Sequence, residues 1–140
     1  MPKRFRVFLD TSVILSGLNS PSGASAAILA AAHSGVFVPI ISKQVIEEAE
    51  RNILVKFSKL KNGWASFLII PPEIAPDPLL KEIKAAYKIV PTSDATILAA
   101  AIKTKPDFLV TLDKRFVTES KNKIAFPVIA PGEFIKEIGK

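Results

Sequence analysis

The stretch "RVFLDTSVILSGL", residues 6–18, determines the fold prediction. An apolar run over residues 7–9 stops at a carboxylate, Asp10, and two hydroxyl residues precede the next apolar run. A continuous apolar run is typical of a strand buried on both faces, as in a parallel sheet. The pattern returns in "DFLVTLDKRF", where residues 108–112 lead into Asp113. The sequence therefore predicts two buried strands that each end near an aspartate.

The chain of 140 residues has an ordinary globular composition and a basic net charge. Hydrophobic residues make up 49% and charged residues 23%, which argues against disorder, and the length predicts one domain over residues 1–140. Lysine and arginine number 19 against 13 acids, so the formal charge is +6. That excess favours a polyanionic partner such as nucleic acid, although many small proteins are basic for solubility alone.

The lack of cysteine and the single histidine, His33, remove several classes of chemistry. Disulfides, thiolate catalysis and zinc sites built from Cys and His are excluded, and no nucleophile-elbow or phosphate-loop motif occurs. No apolar stretch is long enough to span a membrane and the N-terminus lacks a signal-peptide pattern, so we expect a cytoplasmic protein with no membrane segment. Carboxylate chemistry with a hard metal ion remains open to an enzyme.

Strand patterns alternate with helical patterns along the chain. Strands are expected at residues 4–9, 37–41, 67–70 and 108–112, with a last short strand in "FPVIAPGEFIKEIG". Helices are expected at residues 12–18, in "SAAILAAAHSG", from the N-cap Ser42 to about residue 57, over 58–66, from Pro78 to about Tyr87, in "VPTSDATILAAAIKTKPD" and at the C-terminus. This alternation predicts an α/β fold with a parallel sheet between two layers of helices.

Asp10 and Asp113 both follow predicted strands, and ligands of open parallel sheets bind beyond the carboxyl ends of the strands. If the two strands are neighbours, the two carboxylates share one crevice. Close carboxylates raise each other's pKa, and Mg²⁺ or Mn²⁺ would relieve their repulsion. Either aspartate taken alone is better explained as the start of a turn or a helix cap.

Asp94 and three glutamates are further candidates. Asp94 opens the helix "DATILAAAI", where an acid complements the helix dipole and could also face the crevice. The helix "ISKQVIEEAERNI" offers Glu47, Glu48 and Glu50. At roughly 100° per residue, Glu47 and Glu48 flank its apolar face about equally and Glu50 lies nearer the edge. A solvated acidic face is the default interpretation, and helical geometry does not choose among the three.

Four segments in this order resemble the PIN-domain ribonuclease family, in particular VapC-like toxins of toxin–antitoxin pairs. They are "FLDTSVIL", "ISKQVIEEAERNI", "DATILAAAI" and "DFLVTLDKRF", and the resemblance covers nearly the whole chain. It implies a parallel sheet sandwiched by helices and clustered acids that bind Mg²⁺ or Mn²⁺ and cleave single-stranded RNA. A toxin-like member also implies an antitoxin partner and a homodimer.

The resemblance also assigns roles to individual acids. The four acids of the family correspond to Asp10, Glu48, Asp94 and Asp113, where Glu48 follows from its position six residues after Ser42. In this assignment Asp10, Asp94 and Asp113 bind the metal, and Glu48 completes the catalytic cluster.

Four residues next to the acids have supporting roles in this interpretation. Ser12 and Thr111 would orient waters or a carboxylate. Lys114 and Arg115, directly after Asp113, are candidates for phosphate contacts, and an ordinary solvated turn explains them equally well.

The predicted function is therefore a Mg²⁺- or Mn²⁺-dependent endoribonuclease, acting as a toxin. One alternative is a haloacid-dehalogenase-like phosphohydrolase with Asp10 as nucleophile, although such enzymes require a second aspartate where Ser12 stands. A second alternative is a nucleic-acid-binding module that uses the fold and the positive charge without chemistry.

Overall fold

The computed structural model describes residues 4–140. Its five strands are β1 (Arg6–Leu9), β2 (Val38–Ile41), β3 (Glu73–Ile74), β4 (Phe108–Val110) and β5 (Val128–Ile129). They form one sheet in the order β3-β2-β1-β4-β5, and each neighbouring pair is parallel. The predicted parallel sheet is confirmed.

Eight α-helices within residues 4–140 flank this sheet as the predicted α/β/α sandwich. They are α1 (Thr11–Asn19), α2 (Ala24–His33), α3 (Lys43–Val55), α4 (Lys61–Ile69), α5 (Leu80–Tyr87), α6 (Asp94–Thr104), α7 (Lys114–Ser120) and α8 (Pro131–Ile138), with a 3₁₀ turn at Ser58–Leu60. No single helix in this part of the chain could cross a bilayer, although α1 and α2 together, bent by 96°, have sufficient length and apolar character.

The order of the strands brings the ends of β1 and β4 together. The chain runs outward from β1 through β2 to β3 and then returns to place β4 on the other side of β1. Leu9 pairs with Val110, and the amide of Asp10 donates a hydrogen bond to the carbonyl of Val110 at 3.1 Å. The predicted neighbours are therefore real neighbours, and Asp10 lies at the point where the strand order reverses, which favours ligand binding.

The strand expected at residues 67–70 is wrong. Helix α4 continues to Ile69, and the third strand follows the two prolines as Glu73–Ile74. Trp64, Phe67 and Leu68 have helical spacing and pack inward, and the Trp64 ring stacks on Phe67 at 5.8 Å. A short apolar run at the end of a helix cannot be distinguished from a buried strand by periodicity alone.

Lys114 and Arg115 begin helix α7, which the sequence did not predict, and they do not lie in the solvated turn that was the alternative explanation for them. Asp113 caps the helix, because its Oδ1 accepts hydrogen bonds from the amides of Arg115 at 2.9 Å and Phe116 at 3.3 Å. The Phe116 side chain anchors the helix and is fully buried. The sequence feature that could have predicted this helix is an aspartate, Asp113, directly before a short amphipathic segment.

Arg6 stabilises the opposite end of the sheet, where β1 begins. Its guanidinium pairs with Glu73 of β3 and donates to the carbonyl of Thr104 at 2.8 Å. The amide of Arg6 donates to the Asp107 carboxylate at 2.8 Å. These contacts join β1 to β3 and to the end of α6.

Gly17 in α1 allows close packing against α2 and generates a stability prediction. A Cβ there would meet Leu29 Cδ1 at 2.6 Å and the Ser25 carbonyl at 2.8 Å, and a backbone carbonyl cannot easily move away. We expect Gly17→Ala to lower the free energy of unfolding by about 1–3 kcal/mol in urea titrations.

Gly132 provides a matched control, because it lies in α8 and a Cβ added there would meet nothing within 4 Å. Gly132→Ala should leave stability unchanged or raise it by about 0.5–1 kcal/mol, as in an open helix. Equal stabilisation by both substitutions would contradict the close approach of α1 and α2.

Candidate active site

Asp10 holds its carboxylate against two hydroxyl groups. It occupies the N-cap position of α1, but its side chain makes no capping hydrogen bond. Instead, Ser12 Oγ and Thr111 Oγ1 each donate to Asp10 Oδ2 at 2.8 Å. The side chain is nearly buried, with 6% exposure. The carboxylate therefore binds mainly to the two hydroxyls, with a smaller contribution from the backbone of Thr11.

The same two hydroxyls also accept hydrogen bonds from the loop after β4. The amide of Leu112 donates to Ser12 Oγ at 3.2 Å, and the amide of Asp113 donates to Thr111 Oγ1 at 3.1 Å. Since each hydroxyl has one acceptor and one donor partner, its proton is directed at Asp10. This network links the end of β1 to the turn that carries Asp113.

Asp94, the first residue of α6, lies near enough to three other acids for their charges to raise its pKa. The pKa of Asp94 is raised from 3.8 to about 7, first by burial and then by the charges of Asp10, Asp113 and Glu48. Burial also raises the pKa of Asp10, against the opposing hydrogen bonds from Ser12 and Thr111, and the charge of Asp113 adds to it. Carboxylates that raise a neighbour's pKa must be close to it, because water screens distant charges.

The structure separates the three glutamates of α3. Glu48 is half-buried, its charge acts on Asp94, and its Oε1 accepts a hydrogen bond from Gln44 at 3.0 Å. Glu50 is exposed and accepts a hydrogen bond from the Trp64 indole at 3.2 Å, and Glu47 is exposed. Of the three, Glu48 is the glutamate that the fold brings to the acids.

Lys114 and Arg115 lie exposed in the first turn of α7, next to Asp113. Arg115 pairs with Glu119 one turn later, with 2.6 Å between Nε and Oε1. Lys114 has no acidic partner within residues 4–140. The single histidine, His33, is exposed at the end of α2 and lines an apolar cleft of about 290 Å³ that none of the four acids borders.

A cavity of about 520 Å³ between α3 and α6 adjoins the acids, and we call it the α3–α6 cavity. Glu48 forms part of its wall, and of the other lining residues the sequence had singled out Ser42 as an N-cap, Glu47 as a candidate acid and Pro78 as the start of a helix. Besides Glu48, the polar and charged lining residues are Ser42, Lys43, Gln44, Glu47, Arg51, Asp77, Ser93 and Thr96. The signal that could have identified part of this wall is the shared helical face of Lys43, Glu47 and Arg51, which repeat at four-residue spacing.

The four acids are chemically suited to a hard cation, because all of them offer carboxylate oxygens. The charges of the other three acids also contribute to the raised pKa of Asp94, and a cation would offset those charges. Across residues 4–140, however, no three His, Cys, Asp or Glu side chains are arranged closely enough to enclose a metal ion. Mg²⁺ commonly binds through one or two carboxylates and keeps several waters. The acids therefore fit a water-rich site and not a closed protein cage.

The raised pKa of Asp94 predicts how stability depends on pH. Between about pH 4 and pH 7 the folded protein holds a proton that the unfolded chain has released, so stability falls as pH rises through this window. Asp94→Asn removes this penalty. In chelator at pH 8 the variant should be more stable than the wild type by roughly 1 kcal/mol. This value is smaller than the full pKa shift implies, because Asp94 is only half-buried and solvent screens its charge. The advantage should shrink toward pH 4.

Urea titrations of both proteins at several pH values measure this difference. Asp77→Asn, which changes an exposed carboxylate outside the acid cluster, is the control and should show no such pH-dependent gain. A stability difference between Asp94→Asn and the wild type that is independent of pH would contradict the clustered acids.

Three solved structures are similar to this fold. PAE2754 from Pyrobaculum aerophilum has a TM-score of 0.67 at 17% identity, covering 96% of this chain and 90% of that one. VapBC2 from Rickettsia felis, bound to a DNA fragment from their promoter, has a TM-score of 0.61 at 17% identity and coverages of 89% and 98%. VapC20 from Mycobacterium tuberculosis, a toxin that cleaves the sarcin–ricin loop, has a TM-score of 0.55 at 15% identity and coverages of 80% and 93%.

At such low identity these structures show a shared fold and nothing finer. No curated protein matches the chain significantly in sequence. The sequence model of the PIN domain matches residues 6–115, a span that contains all four acids, both hydroxyl residues and the paired strands β1 and β4. The chain therefore belongs to the PIN-domain family.

Proposed function

We propose that this protein is a metal-dependent endoribonuclease that cuts single-stranded RNA. The observation that carries the proposal is the position of Asp94, whose pKa is raised to about 7 by burial and by the charges of Asp10, Asp113 and Glu48. Of these acids, Asp10 and Asp113 follow the adjacent parallel strands β1 and β4. Membership of the PIN-domain family and the +6 charge, which suits a polyanionic substrate, support it.

Asp10, Asp94 and Asp113 would hold Mg²⁺ or Mn²⁺, partly through water, with Glu48 completing the acidic cluster. A bound ion of this kind lowers the pKa of its water and stabilises charge on the phosphate under attack. In this proposal the charge of the ion also removes the repulsion that keeps Asp94 protonated near neutral pH.

The neighbouring residues would supply orientation and substrate contacts. Ser12 and Thr111 hold Asp10 Oδ2 through hydrogen bonds of 2.8 Å, and Oδ1, which has no hydroxyl donor, would be the oxygen that binds the ion. Asp113 uses Oδ1 to cap α7, which fixes the carboxylate beside Asp94. Lys114 is the better candidate for a phosphate contact, because Arg115 already pairs with Glu119.

We further propose that the protein acts in the cytoplasm as the toxin of a toxin–antitoxin pair, with an antitoxin protein as partner and a homodimer as its assembly. Two similar folds support this role, one in the VapBC2 complex and one in VapC20. A small reading frame for a DNA-binding protein directly beside this gene would support the toxin role. Its absence would favour a role in RNA processing.

The phosphohydrolase alternative is less favoured by the geometry. Its second aspartate would stand at Ser12, and the Ser12 hydroxyl instead donates to Asp10. The binding-module alternative gives no reason for placing acids where their charges oppose the ionisation of Asp94.

The purified protein should cleave single-stranded RNA in Mn²⁺ or Mg²⁺ and stop in excess EDTA. Asp10→Asn should abolish cleavage without unfolding the protein, because the amide oxygen can still accept from Ser12 and Thr111. In chelator this variant should melt no lower than the wild type, since a buried charge is removed.

Gel assays of RNA cleavage and melting curves test both parts. Cleavage that persists in excess chelator would exclude the metal mechanism. Phosphate release from small monoesters without action on RNA would favour the phosphohydrolase, and RNA binding without cleavage would favour the binding module.

Glu48 should be the glutamate of α3 that serves the reaction. Glu48→Gln should lower single-turnover cleavage by at least about a hundredfold and weaken the response to Mn²⁺, because it removes one charge from the cluster. Glu50→Gln can still accept the hydrogen bond from the Trp64 indole, and Glu47 is exposed.

Single-turnover cleavage across a Mn²⁺ titration compares the three variants. Glu47→Gln and Glu50→Gln are the matched controls and should stay near the wild type, with stability within about 0.5 kcal/mol of it. A nearly normal Glu48→Gln together with an inactive Glu50→Gln would show that α3 presents a different face to the reaction.

A further inference from the structure

The α3–α6 cavity continues directly from the acid cluster. Glu48 belongs to both, and Ser93 in the cavity wall immediately precedes Asp94. A molecule that fills the cavity would therefore contact Glu48 and lie beside the acid cluster. Its volume of about 520 Å³ falls within the range that proteins use for a single small ligand, about 300–1,000 Å³.

The charges on the wall argue against a path for a continuous phosphate backbone. Lys43 and Arg51 are the cations of the wall, and Glu47, Glu48 and Asp77 are its acids. Three acids against two cations would repel a row of phosphates. A single phosphate held by Arg51 would meet less of this repulsion than a row of phosphates, and the rest of the cavity would then suit uncharged groups.

Arg51 is placed to bind such a phosphate. It follows Glu48 by three positions on the same face of α3, a rise of about 4.5 Å along the helix axis. Its side chain forms no ion pair within residues 4–140, unlike Arg6 and Arg115, which pair with Glu73 and Glu119. An unpaired guanidinium offers two parallel N–H donors to phosphate oxygens.

The opposite wall offers hydroxyl groups from α6. Ser93 stands at the N-cap position but makes no capping hydrogen bond, and Thr96 lies one turn further along the same face. Hydroxyls can donate to and accept from a ribose 2′-hydroxyl, the group that distinguishes RNA from DNA. Pro78 and Ile83 add an apolar surface where a base can lie.

We propose that the α3–α6 cavity holds the ribonucleotide next to the scissile phosphate, with Arg51 on its phosphate and the Ser93 and Thr96 hydroxyls on its 2′-hydroxyl. This inference rests on the proposed ribonuclease function. Arg51, Ser93 and Thr96 act as positioning residues, and the cavity selects a ribose beside the cut.

The first experiment measures binding of a fluorescein-labelled single-stranded RNA of mixed sequence in chelator, by fluorescence anisotropy across a range of salt concentrations. Arg51→Ala should weaken binding about tenfold and lower the slope of log affinity against log salt by about 0.7, the value for one lost phosphate contact on a single strand. Lys84→Ala removes the same charge from the exposed side of α5 and should leave the slope unchanged.

The second experiment uses an RNA that the wild type cuts, with single 2′-deoxy substitutions at each position near the cut. One position should lower kcat/KM for the wild type by roughly fivefold, as the loss of a hydrogen bond would. Thr96→Val, which keeps the shape of the side chain, should reduce this position-specific penalty, and the Ser93 hydroxyl accounts for what remains. Melting curves confirm that the variants remain folded.

The results separate the inference from the function on which it rests. Metal-dependent cleavage by the wild type, with a normal salt slope for Arg51→Ala and an unchanged deoxy penalty in Thr96→Val, would overturn the cavity proposal alone. A lowered slope for Arg51→Ala without any cleavage would support the phosphate contact and reject the ribonuclease. RNA that is neither bound nor cut would overturn both.

Discussion

The hydroxyls of Ser12 and Thr111 hold the Asp10 carboxylate where β1 and β4 end, and the rest of the candidate site depends on this contact. A carboxylate with 6% exposure is costly unless it is hydrogen-bonded, and two bonds of 2.8 Å to Oδ2 supply that compensation. The same hydroxyls accept from the amides of Leu112 and Asp113, so the position of the next acid is set by the contact that stabilises the first.

Repulsion and burial in the acid cluster oppose folding, and the buried strands of the sheet compensate for this loss of stability. Asp94 keeps a proton to about pH 7 because burial and three neighbouring charges oppose its ionisation. The acids stand on segments that follow β1, β2 and β4 or open α6, and the strands beneath them are buried, with no exposure for Phe8, Ile41 or Val110. A local arrangement that lowers stability is characteristic of a functional site, and a cation would relieve it.

Local patterns predicted most elements to within one or two residues, and they failed where competing patterns overlap. The run at residues 67–70 belongs to the end of α4, because Trp64 and Phe67 face the core together at helical spacing. Helix α7 was missed because seven residues give little periodicity, and its main stabilising features are the Asp113 cap and the burial of Phe116. Likewise, the helical wheel could not choose Glu48, since the choice depends on where α6 packs.

The sequence by itself determined the alternation of buried strands and helices, the acids at the strand ends and the absence of competing catalytic groups. Tertiary structure decided that β1 lies beside β4, which oxygen of Asp10 is occupied and that a cavity opens between α3 and α6. The physical reason is distance along the chain. Asp10 and Thr111 are 101 residues apart, and periodicity reports the face that each segment buries, whereas the strand that becomes its neighbour depends on how all the segments pack together.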